Sequence, residues 1–297
     1  MPLQSNRSLS LEPWHDGYMG GYDEPHMQGT TNLHFVHGNG LCSRVLEPVA
    51  DNLMKLTDAS AYRCLFTDLP GHGVSLRPKV FEPDWNLLAD QMVASIQQRC
   101  DGPVVGIGHS LGSILMILAA AKYPDLFQRI VLLDPVIYNR KILIAQIFAR
   151  RTGLWHSHPM VKSANRRRNN WKNATEMQQD LKAKSLYSTW HPESLDAFVR
   201  YGSRIHSAGH TELACSPEWE GQIFGSYPRR LWSSVVKITC PTLVVYGHKT
   251  YPFVPAAVAR AQKLNSNISV ELTDGTHCFP MEYPFETAQR IEQFINR

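Results

Sequence analysis

Short apolar runs alternate with longer amphipathic stretches over most of the chain. The apolar runs, which predict strands, lie at 33–36, 62–66, 104–107, 130–133, 242–246 and 268–272. The stretches between them, which predict helices, lie at 43–56, 84–100, 111–122, 255–264 and 286–295. Continuous apolar runs are typical of strands that are buried on both faces, as in a parallel sheet covered by helices. The pattern therefore predicts the α/β class.

The alternation stops over residues 136–236. Pro192 and Pro217 each stand near the start of a helical pattern there, a position where proline is tolerated. We therefore predict a core domain formed by residues 1–135 and 237–297, with a helical cap domain, 136–236, inserted between two strands. Residues 1–30 lack any periodicity, and we expect irregular structure with at most one short edge strand.

Composition narrows the class of protein. The chain has 297 residues, of which 43% are hydrophobic and 19% charged, values typical of a globular protein. Its longest apolar run, 114–121, is too short to span a membrane. The six cysteines form no C-x-x-C pair and the chain start has no apolar leader segment, so we expect a cytoplasmic protein with reduced thiols.

The segment 108–112 reads Gly-His-Ser-Leu-Gly and lies between a predicted strand and a predicted helix. In this context G-x-S-x-G is typical of a nucleophile elbow, in which a sharp turn exposes the serine hydroxyl. Ser110 is therefore the predicted nucleophile. The alternative is a glycine-rich turn without chemistry.

Together with His-Gly-Asn-Gly at 37–40, Asp-Leu-Pro-Gly-His-Gly at 68–73 and His277 near the end, this motif resembles the α/β-hydrolase-fold serine hydrolases of the esterase and lipase kind. The resemblance implies a mostly parallel central sheet flanked by helices. It also implies cleavage of carboxylic esters through an acyl-enzyme intermediate. Serine rather than aspartate in the elbow separates the chain from the dehalogenases and epoxide hydrolases of this fold.

Position selects the predicted general base among 13 histidines. His277 follows the last predicted strand and precedes the last predicted helix, where it can reach the elbow. His72 is the nearest rival, but in similar proteins its turn is structural. His109 lies beside the nucleophile, and we expect it, with Gly38, to contact substrate.

The acid of the triad departs from the pattern of similar proteins. They commonly carry it shortly after the strand that corresponds to 242–246, where this chain has Thr250 and no Asp or Glu between 235 and 267. Asp134, at the end of the 130–133 strand, is the predicted substitute, and some members of the fold place the acid there. Alternatively Asp134 only turns the chain into the insertion. Asp274 and Asp68 are weaker candidates.

Backbone N–H groups are expected to stabilise the oxyanion. The N–H of Leu111 is one candidate because Leu111 follows the nucleophile. By resemblance, the N–H of Asn39 is the other. We predict no metal and no cofactor.

Residues 136–236 carry 15 Lys and Arg against 7 Asp and Glu, and five of the seven tryptophans. The aromatic residues predict an apolar acyl pocket, although single ones could form the core of the cap. The basic run 166–168 is interpreted as a solvated helix face, or as an attraction for an acidic substrate or an anionic membrane. Without a recognisable motif we expect no nucleic-acid partner, and the oligomeric state is not predicted.

Two other functions remain open. The same triad could act on a thioester or a carbon–carbon bond, a choice that the cap would decide. Alternatively the chain could be a non-catalytic binding or receptor protein, which only Thr250 at the usual acid position favours.

Overall fold

The computed structural model describes residues 9–26, 29–78 and 82–297. The strands are β1 (Glu12–Asp16), β2 (Met19–Asp23), β3 (Thr31–Val36), β4 (Tyr62–Asp68), β5 (Val104–His109), β6 (Phe127–Leu133), β7 (Asn170–Trp171), β8 (Ser203–Ile205), β9 (Thr211–Leu213), β10 (Thr242–Lys249) and β11 (Ile268–Thr276).

The α-helices are α1 (Glu47–Leu56), α2 (Trp85–Arg99), α3 (Leu111–Lys122), α4 (Arg140–Thr152), α5 (Pro159–Asn165), α6 (Ala174–Lys182), α7 (Pro192–Tyr201), α8 (Pro217–Phe224), α9 (Leu231–Lys237), α10 (Val254–Leu264), α11 (Phe279–Glu282) and α12 (Pro284–Ile295). Short 3-10 turns lie at Ser43–Leu46, Ala59–Ala61, Pro124–Leu126 and Leu154–Ser157.

Among the described residues, eight strands form the central sheet in the order β1-β2-β4-β3-β5-β6-β10-β11. The strands from β4 to β11 in this order run parallel, and the β1–β2 hairpin adds to β4 antiparallel. The predicted α/β class with a mostly parallel sheet is confirmed. The hairpin was not expected, because Gly20 and Gly21 in β2 interrupt the apolar pattern.

Successive side chains of the parallel strands point to opposite faces of the sheet. In β6, Ile130 and Leu132 belong to one apolar cluster, whereas Val131 and Leu133 belong to the other. Helix α3 is buried on almost every side, which explains its apolar composition throughout. Both faces of the sheet are therefore covered, as the continuous apolar runs predicted.

The carboxyl ends of four strands position the candidate site. Strand β5 leads into Ser110, β6 into Asp134, β10 into Thr250 and β11 into His277. Strand β6 pairs with both β5 and β10, and β10 pairs with β11, so these four ends are adjacent in the sheet.

Residues 136–236 lie between β6 and β10 and contain α4 to α8, most of α9 and a sheet of the order β7-β9-β8. This small antiparallel sheet was not predicted, because its strands have only two or three residues each. The predicted boundary after residue 236 falls within α9. Apolar residues of the segment belong to the same two clusters as the sheet, and its role as a cap domain stays a prediction.

The predicted irregular stretch 1–30 falls partly outside the described residues, as does the predicted absence of a leader at the chain start. Within residues 9–26, β1 and β2 take the place of the single edge strand that we expected.

Candidate active site

Ser110 lies in the sharp turn between β5 and α3. Its backbone has φ 54° and ψ −111°, a conformation that non-glycine residues rarely adopt and that costs about 1–3 kcal/mol. Neighbouring main chain restrains it, because the Ser110 N–H donates to the Leu133 carbonyl at 2.9 Å. The turn needs small neighbours: a Cβ on Gly108 would lie 2.6 Å from the carbonyl carbon of Gly112.

His277 connects Ser110 to Asp134. Its Nε2 is 2.9 Å from the Ser110 hydroxyl oxygen, and its Nδ1 is 2.6 Å from Asp134 Oδ2. A carboxylate only accepts hydrogen bonds, so Nδ1 carries the proton in the neutral ring and donates a hydrogen bond to Asp134. Nε2 is then free to accept from the serine hydroxyl. The structure thus brings together the three side chains that the sequence predicted as catalytic.

Asp134 is completely buried and has a left-handed backbone with φ 47°, which aspartate tolerates better than most residues. Its N–H donates to the Val245 carbonyl at 2.7 Å, and its Oδ1 accepts from the Gly247 N–H at 2.8 Å. The Thr250 hydroxyl donates to Oδ2, the oxygen that also faces His277. These contacts together fix the orientation of the carboxylate.

Sequence reasoning missed the contact of Thr250. It treated this residue as a missing acid, whereas the hydroxyl lies against the acid of the neighbouring strand. No local signal reveals this, because the two residues are 116 positions apart. The adjacency of β6 and β10 was the information that was lacking.

The loop after β3 lies directly beside the serine. A Cβ on Gly38 would lie 3.0 Å from both Ser110 Cβ and His109 Nδ1, a tight contact that glycine avoids. Asn39 and Leu111 line the same cavity as Ser110. Within residues 9–26, 29–78 and 82–297, neither the Asn39 N–H nor the Leu111 N–H donates a hydrogen bond. Both donors are therefore available to a ligand.

Two buried histidines hold this loop. His37 Nε2 accepts from the Leu69 N–H at 3.0 Å, and His72 Nε2 accepts from the Gly40 N–H at 3.0 Å. Burial lowers the pKa of His72 to about 4 and that of His37 well below its usual value, so both rings are neutral. His72 is committed to the loop, which removes the nearest rival of His277.

His109, predicted to contact substrate, lines the cavity but is only 1% exposed. Burial lowers its pKa to about 3, so the ring is neutral. The His277 carbonyl lies 2.9 Å from its Nε2 and can only accept, so Nε2 carries the proton. His109 therefore supports the main chain of His277.

A cavity of about 500 Å³ opens in front of Ser110. The sheet side contributes Ser110, His277 and the loop residues Gly38 and Asn39. The 136–236 side contributes apolar and aromatic side chains, namely Val136, Tyr138, Ile142, Met160, Ala164, Leu181, Leu186, Tyr187, Ile223 and Phe224. It also contributes polar and charged ones, namely Gln146, His158, Ser163, Arg167, Arg168, Lys184, Ser185 and Glu220. Of the five tryptophans in 136–236, none lines the cavity, whereas Trp85 of α2 does. The volume and lining suit a small organic molecule.

A buried charged group closes one side of the cavity. Arg167 pairs with the Glu220 carboxylate and donates to the Tyr187 hydroxyl at 2.9 Å. The Glu220 carbonyl accepts from the Asn39 side chain at 3.0 Å, which connects α8 to the loop after β3. Arg167 was predicted to belong to a solvated helix face, and this part of the prediction is wrong. Its guanidinium is mostly buried because Glu220 neutralises it.

Among the described residues, no group of three or more His, Cys, Asp or Glu side chains could hold a metal ion. The same residues include no helix that is long and apolar enough to cross a bilayer. The site can activate a hydroxyl with a carboxylate-oriented imidazole and can offer two N–H donors to an oxygen.

A sequence model described as the alpha/beta hydrolase family matches residues 35–290. The chain is 26% identical over 273 residues to 2-(acetamidomethylene)succinate hydrolase of Mesorhizobium japonicum, covering 88% of this chain and 87% of that protein.

Solved structures agree on the fold. The crystal structure of an E-2-(acetamidomethylene)succinate hydrolase superposes with a TM-score of 0.74 at 22% identity, covering 98% of this chain and 100% of that one. An esterase of Mycobacterium tuberculosis superposes with a TM-score of 0.76 at 18% identity, covering 98% and 94%. At these identities the superpositions show a shared fold.

Proposed function

The chain belongs to the alpha/beta hydrolase family, and on that premise we propose that it cleaves carboxylic esters with Ser110 as the nucleophile. The observation that carries the proposal is the continuous hydrogen-bonded relay from Ser110 through His277 to Asp134, at 2.9 and 2.6 Å. Hydroxyl, imidazole and carboxylate in this order activate a serine in unrelated acyl-transfer enzymes.

Acylation begins at the Ser110 oxygen. It attacks the ester carbonyl carbon while His277 Nε2 takes the hydroxyl proton, which gives a tetrahedral intermediate and an imidazolium. Asp134 stabilises that imidazolium through the 2.6 Å contact at Nδ1. His277 then returns the proton to the departing alcohol oxygen, the C–O bond breaks, and Ser110 carries the acyl group.

The oxyanion is held by the N–H groups of Asn39 and Leu111 in this mechanism. Both lie in the cavity wall beside Ser110 and neither donates within the described residues. Leu111 is also the first residue of α3, and the amino end of a helix favours negative charge. In a well-studied protease, loss of one such donor raises the barrier by about 3–4 kcal/mol.

Deacylation repeats these steps with water. His277 Nε2 removes a proton from water, the hydroxide attacks the acyl carbon, and the proton returns to the Ser110 oxygen as the carboxylic acid leaves. No cofactor takes part. We propose that residues 136–236 act as a cap that supplies the acyl pocket, and that the protein works in the cytoplasm.

The nature of the pocket favours an uncharged acyl group. Arg167, Arg168 and Lys184 line the cavity, and the Mesorhizobium japonicum relative is named for a succinate, so a substrate with free carboxylates is the alternative. However, each cation is paired with an acid of the chain, as in the 2.7 Å contact of Lys184 with Asp180. The lining is otherwise mainly apolar, so we expect neutral esters to be preferred.

Two measurements test the proposal. A fluorophosphonate probe should label Ser110 of the folded protein, and p-nitrophenyl esters from acetate to palmitate should be turned over with a burst of p-nitrophenol. Ser110→Ala should abolish both, whereas Ser233→Ala, an exposed serine on α9, should change neither. If the folded protein is neither labelled by the probe nor active on the esters, the proposal that it is a serine hydrolase is wrong.

The same series separates the alternatives. Turnover of acyl thioesters with negligible turnover of esters would identify a thioester hydrolase. Absence of turnover on both esters and thioesters would support a non-catalytic binding protein. Thr250 no longer favours that last reading, because its hydroxyl contacts Asp134 and supports the acid.

A further inference from the structure

Helix α4 has two different faces. Ile142 and Gln146 line the cavity, while Ile144 and Phe148 point outwards with 67% and 61% of their surface exposed. At 100° per residue, Arg140, Lys141, Ile144, Phe148 and Arg151 share one side of the helix. We call this side the outer face of α4. Two large apolar side chains therefore stand exposed next to each other on this side of the helix.

The outer face is also strongly basic. Residues 135–175 contain nine Lys and Arg and no Asp or Glu. Within the described ranges, Arg140, Lys141 and Arg151 make no ion pair, and the residues outside those ranges contain no acid. These cations stand at both ends of the apolar pair, so the surface combines an exposed apolar centre with unneutralised positive charge.

We propose that the outer face of α4 docks the protein on the surface of anionic phospholipid bilayers. An amphipathic helix with cations beside large apolar groups lies in the plane of such a surface, with its apolar side chains among the acyl chains. Each Lys or Arg near the surface adds attraction to anionic lipid. Leu154, 56% exposed in the turn that follows α4, extends the apolar part.

The charge pattern favours a bilayer over a protein partner. A protein interface usually depletes charge at its centre and pairs it across the rim. On the outer face of α4, cations unpaired within the described residues stand at both ends of the apolar pair Ile144 and Phe148. This arrangement suits a surface of uniform negative charge. An anionic bilayer neutralises all of them at once, whatever their rotamers.

Docking would bring lipid close to the candidate active site. The two faces of α4 are separated by one helix, about 10 Å across with its side chains. Ile142 and Gln146 on the inner side reach the cavity that contains Ser110. A bilayer on the outer face would therefore concentrate apolar esters beside the pocket.

Vesicle flotation with the full chain tests this inference. Vesicles of phosphatidylcholine with 30 mol% phosphatidylglycerol (roughly the charge of an anionic leaflet) should carry the protein up the gradient. Vesicles of phosphatidylcholine alone should retain little of it, and raising NaCl towards 0.5 M should release it through screening. Equal binding to both vesicles, or none to either, overturns the proposal.

Variants of the outer face make the test specific. Arg140→Glu with Lys141→Glu should weaken partitioning at least 25-fold, from about fivefold per cation, and Ile144→Ser with Phe148→Ser about tenfold or more. The matched controls are Lys237→Glu with Lys263→Glu, which changes charge equally, and Ile205→Ser, which removes an 81% exposed side chain on β8. Both controls should bind like the natural sequence.

Far-UV circular dichroism and Tm show that each variant is folded. If the outer-face variants bind vesicles like the controls, the proposal is wrong. If they instead convert a dimer into a monomer on size exclusion without changing flotation, a second copy covers the face and the proposal is equally wrong. Ser110→Ala should float normally, so failure of docking and failure of the ester-hydrolase proposal are separate results.

Discussion

The strand ends and the segment 136–236 face one cavity but are built on different physical principles. On the strand side, Ser110, His277 and Asp134 form hydrogen bonds to one another, and backbone N–H and carbonyl groups hold the serine and the aspartate. Two of these residues have left-handed backbone conformations that the surrounding sheet enforces. On the segment side, Gln146 lies in the cavity wall with its carbonyl oxygen buried and unpartnered among the described residues.

This difference teaches which properties each side controls. A network with every atom partnered and a strained backbone favours one geometry and supports one reaction. A mostly apolar wall with a polar atom left unpartnered is suited to choosing what binds. We therefore expect changes at the strand ends to alter turnover, and changes in 136–236 to alter substrate preference.

The largest expected effect follows from Asp134→Asn. An asparagine keeps the shape but cannot stabilise the His277 imidazolium and favours the wrong tautomer of the ring. From the corresponding change in a serine protease, kcat should fall roughly 10,000-fold with KM little changed. Steady-state kinetics on a p-nitrophenyl ester measures this, with Asp274→Asn as the control. Activity within tenfold of the natural protein would remove Asp134 from the mechanism.

Moving the acid to the neighbouring strand should recover part of that loss. The Thr250 hydroxyl contacts the same carboxylate oxygen that faces His277 Nδ1, so Thr250→Asp places a carboxylate near the ring. In the Asp134→Asn background, this change should raise kcat about 100-fold. Thr250→Asn is the matched control and should recover nothing. Equal values for the two double variants would show that position 250 cannot orient the ring.

A smaller and different effect is expected from Gln146→Leu. The buried carbonyl oxygen of Gln146 has no partner among the described residues, and an alkyl acyl chain against it incurs a desolvation cost of about 1–3 kcal/mol. Leucine removes this cost at similar volume. The kcat/KM for long alkyl esters should rise about tenfold, whereas that for acetate should hardly change. Gln178→Leu, outside the cavity, provides the control. A uniform loss across the ester series would argue against a role in selection.

The smallest effect concerns stability, and it distinguishes a buried histidine of the sheet from an exposed one of 136–236. Burial lowers the pKa of His34 to about 3, so between pH 3 and 6.5 the unfolded chain binds a proton that the folded chain does not. The contribution of neutral His34 to the free energy of unfolding is therefore complete above pH 6.5. It is lost as the pH falls towards 3.

Replacement His34→Asn should therefore reduce the pH dependence of unfolding free energy near pH 5 by about 1.4 kcal/mol per pH unit. Urea unfolding at pH 4.5, 5.0 and 5.5 gives this slope. His206→Asn, at an exposed position of 136–236, is the control variant. An unchanged slope in His34→Asn would mean that His34 takes up its proton in the folded state.

Patterns in the sequence were sufficient for the six parallel strands of the sheet and for the family. Continuous apolar runs marked β3 to β6, β10 and β11, and the motif around Ser110 identified the turn after β5. These features depend on local sequence: burial on both faces requires apolar runs, and the turn requires glycine at 108. Prediction of the alpha/beta hydrolase family was confirmed on this basis. The roles of Ser110, Asp134 and His277 stay predictions until the variants are measured.

Two kinds of feature could not be predicted from the sequence: contacts between residues far apart in the chain, and very short strands. The pairing of Arg167 with Glu220 joins residues 53 positions apart, so a local reading assigned the arginine to solvent. Strands β7 to β9 have two or three residues, too few for an alternating pattern to emerge. In both cases tertiary contacts, which composition does not record, determine the structure.

The contact between Asn39 and Glu220 makes the pocket wall and the loop beside the serine a single mechanical unit. The Asn39 side chain holds the Glu220 carbonyl at 3.0 Å, while Gly38 next to it lies against Ser110. A displacement of α8 wide enough to admit a bulky molecule would pull on this amide and shift the adjacent N–H. One hydrogen bond thereby couples the position of α8 to the position of the loop that carries the Asn39 N–H.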